Sequence, residues 1–310
     1  MTHTSLRFPA LSPALAAFTG LVLAAGCSPP PVDGPDHDPV FFPPTNRPDV
    51  RGTHGAVVSD HPLASAAGYR VLQEGGNAMD AAIAMAGVLA VVRPHMNGVG
   101  GDAFALVYEA ETGTVHALNG SGRAGTGATP ELFAGLDEFP QAGPLSVSVP
   151  GAVAAWADAL DRFGTRPLGD LLAPAIGYAR DGFPVSTRLA SDFRAQGGEL
   201  NEAGRALYLP GGEPPAVGSL LRNPELAATL ERIARQGKAG FYQGPVAEAL
   251  AGFLESQGGH LRTQDFAAHT STWVDPLAEP YLEHTFYVLP PNAQGLAQVQ
   301  LMEMAKSFNL

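Results

Sequence analysis

The residues best suited to hold a ligand lie in a short polar segment, Asn119-Gly-Ser-Gly-Arg123. Arg123 carries a planar guanidinium, which can hold a carboxylate through two parallel hydrogen bonds. Ser121 places a hydroxyl group two residues before it. The residues in front of the segment predict a strand, so a scaffold would present both side chains. On the local sequence alone, a surface salt bridge is the simpler interpretation of Arg123.

A second glycine-rich segment, Gly98-Val-Gly-Gly-Asp102, would allow close approach of the backbone to a ligand. It lacks the Gly-Lys-Ser/Thr of a phosphate-binding loop. A helix is predicted in front of it, where a dinucleotide-binding fingerprint needs a strand. We therefore interpret this segment as a tight connection from a helix to a strand.

Other patterns of reactive residues are missing from the sequence. The nine histidines form no His-Glu-x-x-His pair, and there is no Gly-x-Ser-x-Gly elbow. The single cysteine excludes an internal disulfide framework and a cysteine-based metal cluster. Eighteen basic residues against 30 acidic ones leave a net charge of −12, which repels a phosphate backbone. We predict no metal site, no cofactor and no nucleic-acid partner.

The first 50 residues predict targeting and spacing functions. Residues 1–27 combine an early arginine, a short apolar stretch and the small residues Ala24-Ala-Gly26 directly before Cys27. This order predicts a lipoprotein signal, with lipid attached to Cys27 and the protein held at the bacterial cell envelope, on its periplasmic or extracellular side. An ordinary cleaved signal with an incidental cysteine is the alternative. Residues 28–50 are rich in proline and predict an extended linker.

Residues 51–310 predict one folded domain that mixes helices and strands. Hydrophobic residues make up 45% of the chain, which is enough for a substantial core. Its helices and strands are predicted from the spacing of apolar residues, from helix-capping residues and from glycines that end helices. They are helices over 63–74, 77–92, 153–163, 168–181, 224–236, 245–256 and 296–308, and strands over 103–108, 114–118 and 285–289. The chain is therefore predicted to be helix-rich after residue 150.

Several ordered motifs together resemble the γ-glutamyltransferase (glutathione hydrolase) family. They are Ser59-Asp-His-Pro-Leu-Ala-Ser65, Gly75-Gly-Asn-Ala-Met-Asp-Ala-Ala82, Asn97-Gly-Val-Gly-Gly-Asp-Ala-Phe104, Val147-Ser-Val-Pro-Gly-Ala152, Phe163-Gly-Thr165, Leu171-Leu-Ala-Pro-Ala175, Gly182-Phe183, Gly240-Phe-Tyr-Gln-Gly244, Thr263-Gln-Asp-Phe266 and Leu289-Pro-Pro291. The resemblance covers residues 51–310. It implies an N-terminal-nucleophile hydrolase with an α+β fold, a four-layer αββα sandwich built from a large and a small subunit.

The resemblance implies that this chain is the large-subunit half of that sandwich. A threonine at the start of the small subunit would attack a γ-glutamyl amide and form an acyl-enzyme, with its own α-amine as the base. Thr270 and Thr272 superficially resemble a processing site, but too few residues follow them to complete two sheets. We therefore predict no catalytic residue in this chain. An unpaired, apolar sheet face near residues 103–118 is expected, because the other half would cover it.

The resemblance also implies a substrate-binding arginine in the loop after the second strand. Counting residues along the sequence from the end of the second strand places Ser121 at the position of that arginine, and Arg123 lies two residues further. Both are therefore predicted substrate-binding residues. The resemblance implies two partners, a γ-glutamyl small molecule such as glutathione and the small subunit, and the Cys27 signal predicts a third, the membrane through the lipid. The acyl donor and the choice between hydrolysis and transpeptidation stay open. The alternative function is an inactive envelope lipoprotein, a binding remnant of the same fold.

Overall fold

The computed structural model describes residues 50–308. Contacts divide the chain into two units, Met1–Arg51 and Gly52–Leu310, and the helices and strands of the described residues belong to the second. The predicted signal, Cys27 and the predicted linker up to residue 49 lie outside the described residues. Between residues 50 and 308, no helix combines the length and apolar character needed to cross a membrane.

The described residues form helices and strands that alternate irregularly along the chain. In chain order they are α1 (Pro62–Gln73), α2 (Ala78–Val92), β1 (Ala103–Glu109), β2 (Thr114–Gly120), α3 (Pro130–Phe133), α4 (Ala152–Phe163), α5 (Leu168–Asp181), β3 (Phe183–Pro184), α6 (Thr187–Gln196), α7 (Glu202–Tyr208), β4 (Leu220–Leu221), α8 (Pro224–Gln236), α9 (Ala239–Tyr242), α10 (Pro245–Ser256), α11 (Thr263–Ala267), β5 (Thr272–Val274), β6 (Leu277–Tyr281), β7 (His284–Val288) and α12 (Gly295–Ala305). The predicted helices and strands are all present, with ends shifted by at most three residues.

Helix α2 lies at the centre of the hydrophobic core, which fits its almost entirely apolar sequence. Asn77 caps it by accepting a hydrogen bond from the Asp80 amide, and the Asp80 carboxylate accepts one from the Asn77 amide in return. Most of the helix is buried, and it packs against α1, α4 and α5. An apolar helix at the centre of the core holds the segment that follows it in a defined place.

Asp80 connects this helix to a distant part of the chain. Its carboxylate is fully buried and accepts hydrogen bonds from the Thr165 amide (2.8 Å), the Thr165 hydroxyl and the Arg166 amide (3.1 Å). Burial alone would raise the pKa of Asp80, but these hydrogen bonds and the one from Asn77 outweigh it and lower the pKa. The carboxylate therefore stays ionised and joins the start of α2 to the segment after α4.

A three-stranded antiparallel sheet carries the candidate site. Strand β2 lies between β1 and β5, so one edge of β1 has no partner strand among residues 50–308. Helix α4 packs against β1 and β2. On the other face of β1, the large side chains are exposed by 40%, 43% and 66%, in the order Phe104, Leu106 and Tyr108. The expected open apolar face and free edge are both present in the described residues.

Two smaller antiparallel pairs, β3 with β4 and β6 with β7, lie outside this sheet. Helices predominate after residue 150, where α5 packs against α8 and α2, and α8 packs against α9. The apolar sides of these helices merge with α2 and α4 into one hydrophobic core. The described residues thus show an α+β fold in which a helical layer supports one face of a sheet.

Candidate functional site

Both glycine-rich segments meet at one end of the sheet. Ala103 at the start of β1 pairs with Gly120 at the end of β2, so the residues just outside this pair are neighbours in space. The Gly101 carbonyl accepts hydrogen bonds from the Gly151 and Ala152 amides, both at 2.9 Å, at the beginning of α4. The segment before β1 therefore connects a helix to a strand, as the sequence predicted, but the connection spans residues 93–102 and is longer than the tight one expected.

A ring of polar side chains fixes the segment after β2. The Ser121 hydroxyl donates to Asp102 Oδ2 (3.2 Å) and accepts from Asn292 Nδ2 (2.7 Å). Asn119 accepts a hydrogen bond from the Ser121 amide at 2.9 Å and donates one to Asn292 Oδ1 at 2.9 Å. Asp102 also accepts one from the Gly122 amide (3.2 Å). Ser121 therefore holds this loop in place, and its hydroxyl already has two protein partners.

A second set of contacts anchors the same loop a few residues later. His260 accepts hydrogen bonds from the Gly125 amide at its Nδ1 and from the Gly127 amide at its carbonyl, both at 3.2 Å. Asp265 Oδ1 accepts one from the Thr126 amide at 3.0 Å. His260 and Asp265 are both buried. The loop between residues 121 and 127 is thus fixed at its two ends.

Arg123 lies at the exposed apex between these two anchors. Its carbonyl accepts a hydrogen bond from the Val149 amide at 3.0 Å, which fixes the backbone at this point. Within residues 50–308, its side chain makes no hydrogen bond or salt bridge. The backbone is held rigidly while the guanidinium remains available, which is the arrangement needed to bind an anion.

Close backbone packing explains the glycines of this loop. A Cβ atom on Gly122 would lie 1.8 Å from the Val149 carbonyl oxygen, and one on Gly151 would lie 1.9 Å from the Gly120 carbonyl oxygen. Neither backbone oxygen can move away without breaking the sheet end or the start of α4. Only glycine fits at both positions, because the two segments approach each other backbone to backbone.

Two buried aromatic side chains lie among the charged groups of the site. The Tyr242 hydroxyl donates to the Pro150 carbonyl (2.7 Å) and accepts from the Ala154 amide (3.0 Å), and burial raises its pKa. The His269 ring lies 5.3 Å from the Tyr242 ring, and only 8% of this histidine is exposed. Burial lowers the pKa of His269 and the positive charge of Arg123 lowers it further, whereas Asp102 raises it. At neutral pH both rings are therefore uncharged.

Among the described residues of this site, no hydroxyl group is paired with a histidine base. The Ser121 hydroxyl is bonded to a carboxylate and an amide, and no histidine bonds to it. Thr272 begins strand β5 and pairs with Asn119 inside the sheet. No cluster of three potential metal-ligating side chains occurs between residues 50 and 308. In this part of the chain, the site can bind and orient an anionic group.

The sequence patterns pointed to Ser121 and Arg123 but missed the residues that hold them. Asp102 was part of a glycine-rich motif, and Asn292 followed the Leu289-Pro-Pro291 motif. Neither motif revealed that the two side chains meet at Ser121. Similarly, His260 carried no signal of its own, because a lone histidine between apolar and glycine residues has many possible functions.

This chain is similar to known proteins over most of its length. The family model described as Gamma-glutamyltranspeptidase matches residues 64–310. The glutathione hydrolase-like YwrD proenzyme of Bacillus subtilis is 37% identical over 266 residues, covering 84% of this chain and 50% of the relative. The oxamate amidohydrolase proenzyme of Klebsiella pneumoniae subsp. pneumoniae is 40% identical over 261 residues, covering 81% of this chain and 49% of the relative.

A solved structure is also similar over most of the chain. The crystal structure of Helicobacter pylori gamma-glutamyltranspeptidase matches with a TM-score of 0.80 and 31% identity, and the match covers 85% of this chain and 78% of that chain. By contrast, the chain spans about half the length of the two curated relatives.

Proposed function

This chain belongs to the gamma-glutamyltranspeptidase family, and from that premise we propose that it is the large-subunit portion of an enzyme that cleaves γ-glutamyl or related amides. Its α+β fold is that of the N-terminal-nucleophile hydrolases of this family. The observation that carries the proposal is the apex of the loop after β2, where a rigid backbone presents Arg123 without a partner among the described residues.

In the proposed reaction, Arg123 binds the carboxylate of the acyl group and orients the amide bond. A threonine hydroxyl from the small subunit attacks the amide carbon, the carbon–nitrogen bond breaks, and the amine leaves with a proton. The acyl-enzyme ester then transfers its acyl group to water or to another amine, which restores the hydroxyl. The contribution of this chain is orientation, since a fixed carboxylate places the scissile bond at a defined distance from the scaffold.

The names of the relatives support a carboxylate-bearing acyl group. One is called glutathione hydrolase-like and another oxamate amidohydrolase. Glutathione and oxamate are both amides whose acyl part carries a carboxylate. A guanidinium at the loop apex suits this shared feature, whichever acyl group is used.

The proposal is tested with the product of the whole reading frame that contains this chain, here called the complete protein. We expect it to cleave itself into two fragments, seen as two bands on a denaturing gel, and then to release aniline from a chromogenic γ-glutamyl anilide. A single uncut band without anilide hydrolysis would contradict the proposal. That outcome would favour the alternative of an inactive binding protein with the same fold.

A lipid anchor at Cys27 is a further part of the proposal, and it is supported by the sequence alone. Small residues directly precede this cysteine, as in a lipoprotein processing site. We expect the complete protein, expressed in a bacterium, to incorporate radiolabelled palmitate and to appear in the membrane fraction. Cys27→Ser should remove the label. Equal labelling of both proteins would exclude Cys27 as the attachment site.

A further inference from the structure

The start of helix α4 is capped by a side chain from another helix. Its N-cap residue is Gly151, which has no side chain to accept a hydrogen bond. A larger residue does not fit there, because its Cβ atom would lie 1.9 Å from the Gly120 carbonyl oxygen. The hydroxyl of Tyr242, on helix α9, supplies the acceptor, and the Ala154 amide donates to it at 3.0 Å. Ala154 is fully buried, so its amide needs this partner.

The same hydroxyl also holds the residue before the helix. It donates to the Pro150 carbonyl at 2.7 Å, so it acts as donor and acceptor at once. Burial raises the pKa of Tyr242, which keeps the hydroxyl protonated and able to donate. The tyrosine is 4% exposed, and its ring centroid lies 5.0 Å from that of Phe241 and 5.3 Å from that of His269. A closely packed side chain therefore ties Pro150 to Ala154.

The turn fixed in this way, residues 149–154, contacts both sides of the candidate site. Its Val149 amide donates to the Arg123 carbonyl at 3.0 Å, in the loop after β2. Its Gly151 amide donates to the Gly101 carbonyl at 2.9 Å, in the segment before β1. Within residues 50–308, the bond from Val149 is the one hydrogen bond that the Arg123 backbone makes. The place of this backbone therefore depends on where the turn lies.

We propose that Tyr242 is a positioning residue, whose hydroxyl sets the place of Arg123 through the turn at residues 149–154. The inference rests on the proposed function in one respect, since it takes Arg123 as the residue that binds the substrate carboxylate. Tyr242 itself is buried under the turn and acts through it. A turn that loses this support would let the guanidinium move, and a small misplacement of an orienting group weakens its effect on the substrate.

The first test replaces Tyr242 with phenylalanine in the complete protein, which removes the hydroxyl and keeps the ring. The Pro150 carbonyl and the Ala154 amide then lose their present partner. We expect the backbone amides of residues 121–127 to exchange with deuterium at least about tenfold faster, as in a segment that opens locally. Mass spectrometry of peptides from this loop measures the rates. Peptides from helix α5 should exchange as they do in the unmodified protein.

The second test is a double-mutant comparison with Arg123→Lys. Tyr242→Phe alone should lower kcat/KM for the γ-glutamyl anilide about tenfold, mainly through KM, because the carboxylate would be bound less well. If Tyr242 acts through Arg123, adding Tyr242→Phe to Arg123→Lys should change kcat/KM by less than about twofold further. A tyrosine with a separate role would instead multiply the two losses.

The matched control is Tyr208→Phe. Tyr208 lies on helix α7 and is partly buried, and its hydroxyl interacts with the Asn223 side chain. Its removal should lower the stability of the fold without changing the exchange of the loop or KM. This control separates the loss of one tyrosine hydroxyl contact in the fold from the loss of the contact that supports residues 149–154.

Unchanged exchange of residues 121–127 in Tyr242→Phe would overturn the inference, and so would losses that multiply in the double mutant. A measurement on the unmodified protein needs no variant to fold. Its loop should become exchangeable together with a peptide covering residues 148–155, as one cooperative unit. A loop that exchanges far ahead of that peptide would also overturn the inference. Exchange needs no catalysis, so a failure of self-cleavage or anilide hydrolysis, which would overturn the proposed function, is a separate result.

Discussion

Replacing Arg123 with lysine in the complete protein is expected to lower kcat/KM for a γ-glutamyl anilide by about 10- to 150-fold. The two parallel hydrogen bonds of a guanidinium to a carboxylate cannot be reproduced by an ammonium group. A loss of about 1.5–3 kcal/mol corresponds to this range. Steady-state kinetics with the purified variant measure the effect, which should appear mainly in KM because the carboxylate is bound in both the ground state and the transition state.

The matched control is Arg194→Lys, an exposed arginine on helix α6, away from the loop after β2. Its kinetics should equal those of the unmodified protein. If Arg123→Lys also shows unchanged kinetics, Arg123 is a surface residue and the carboxylate is held elsewhere. Ser121, the position favoured by a strict count along the sequence, would then be the next residue to test. Its hydroxyl would have to give up its bond to Asp102 or Asn292.

Replacing Asp80 with alanine is expected to lower the free energy of unfolding by about 3 kcal/mol. The groups that donate hydrogen bonds to the Asp80 carboxylate would lose their acceptor in the folded protein. Three of these donors are the backbone amides of Asn77, Thr165 and Arg166. Urea unfolding of the complete protein, followed by circular dichroism at neutral pH, measures the change. Asp137→Ala, which removes an exposed carboxylate, should stay within about 0.5 kcal/mol of the unmodified protein.

The same carboxylate predicts a pH dependence. The pKa of Asp80 is lowered in the folded state below its ordinary value of 3.8. The carboxylate therefore makes its full contribution to the stability of the fold at pH values above 3.8. As the pH falls below 3.8, the unfolded chain binds a proton before the folded one does, so stability decreases until the folded carboxyl is protonated. The stability gap between the unmodified protein and Asp80→Ala should therefore narrow on acidification. An equal gap at pH 7 and pH 3 would contradict this explanation.

Most regular elements could be predicted because their signals are local. Asn77 with Asp80 and Asn223 with Pro224 mark the starts of α2 and α8, and each asparagine accepts the hydrogen bond expected of a cap. Helix α10 spans the predicted residues, Pro245–Ser256. Such signals act within one turn of helix and depend little on the rest of the fold.

Other elements were missed. Helices α6 and α7 are polar helices whose capping residues, Ser186 and Asn201, are present in the sequence but were not used to predict them. Strand β5 has three residues, and it exists because β2 offers a partner for Trp273 at Leu118. Strand β6 likewise depends on pairing with the predicted strand β7. Short strands are stabilised by their partners, so their own residues predict them poorly.

The sequence by itself determined the family, the helices with strong caps, and the pair Ser121 and Arg123 as candidates for binding. Only the tertiary structure shows where each of the two lies and what it contacts. Asn292 contacts Ser121 across 171 positions of the chain, and Asp265 contacts Thr126 across 139. Contacts of this kind arise when the sheet and the helical layer bring remote segments together. They hold Ser121 inside the loop and leave Arg123 at its apex.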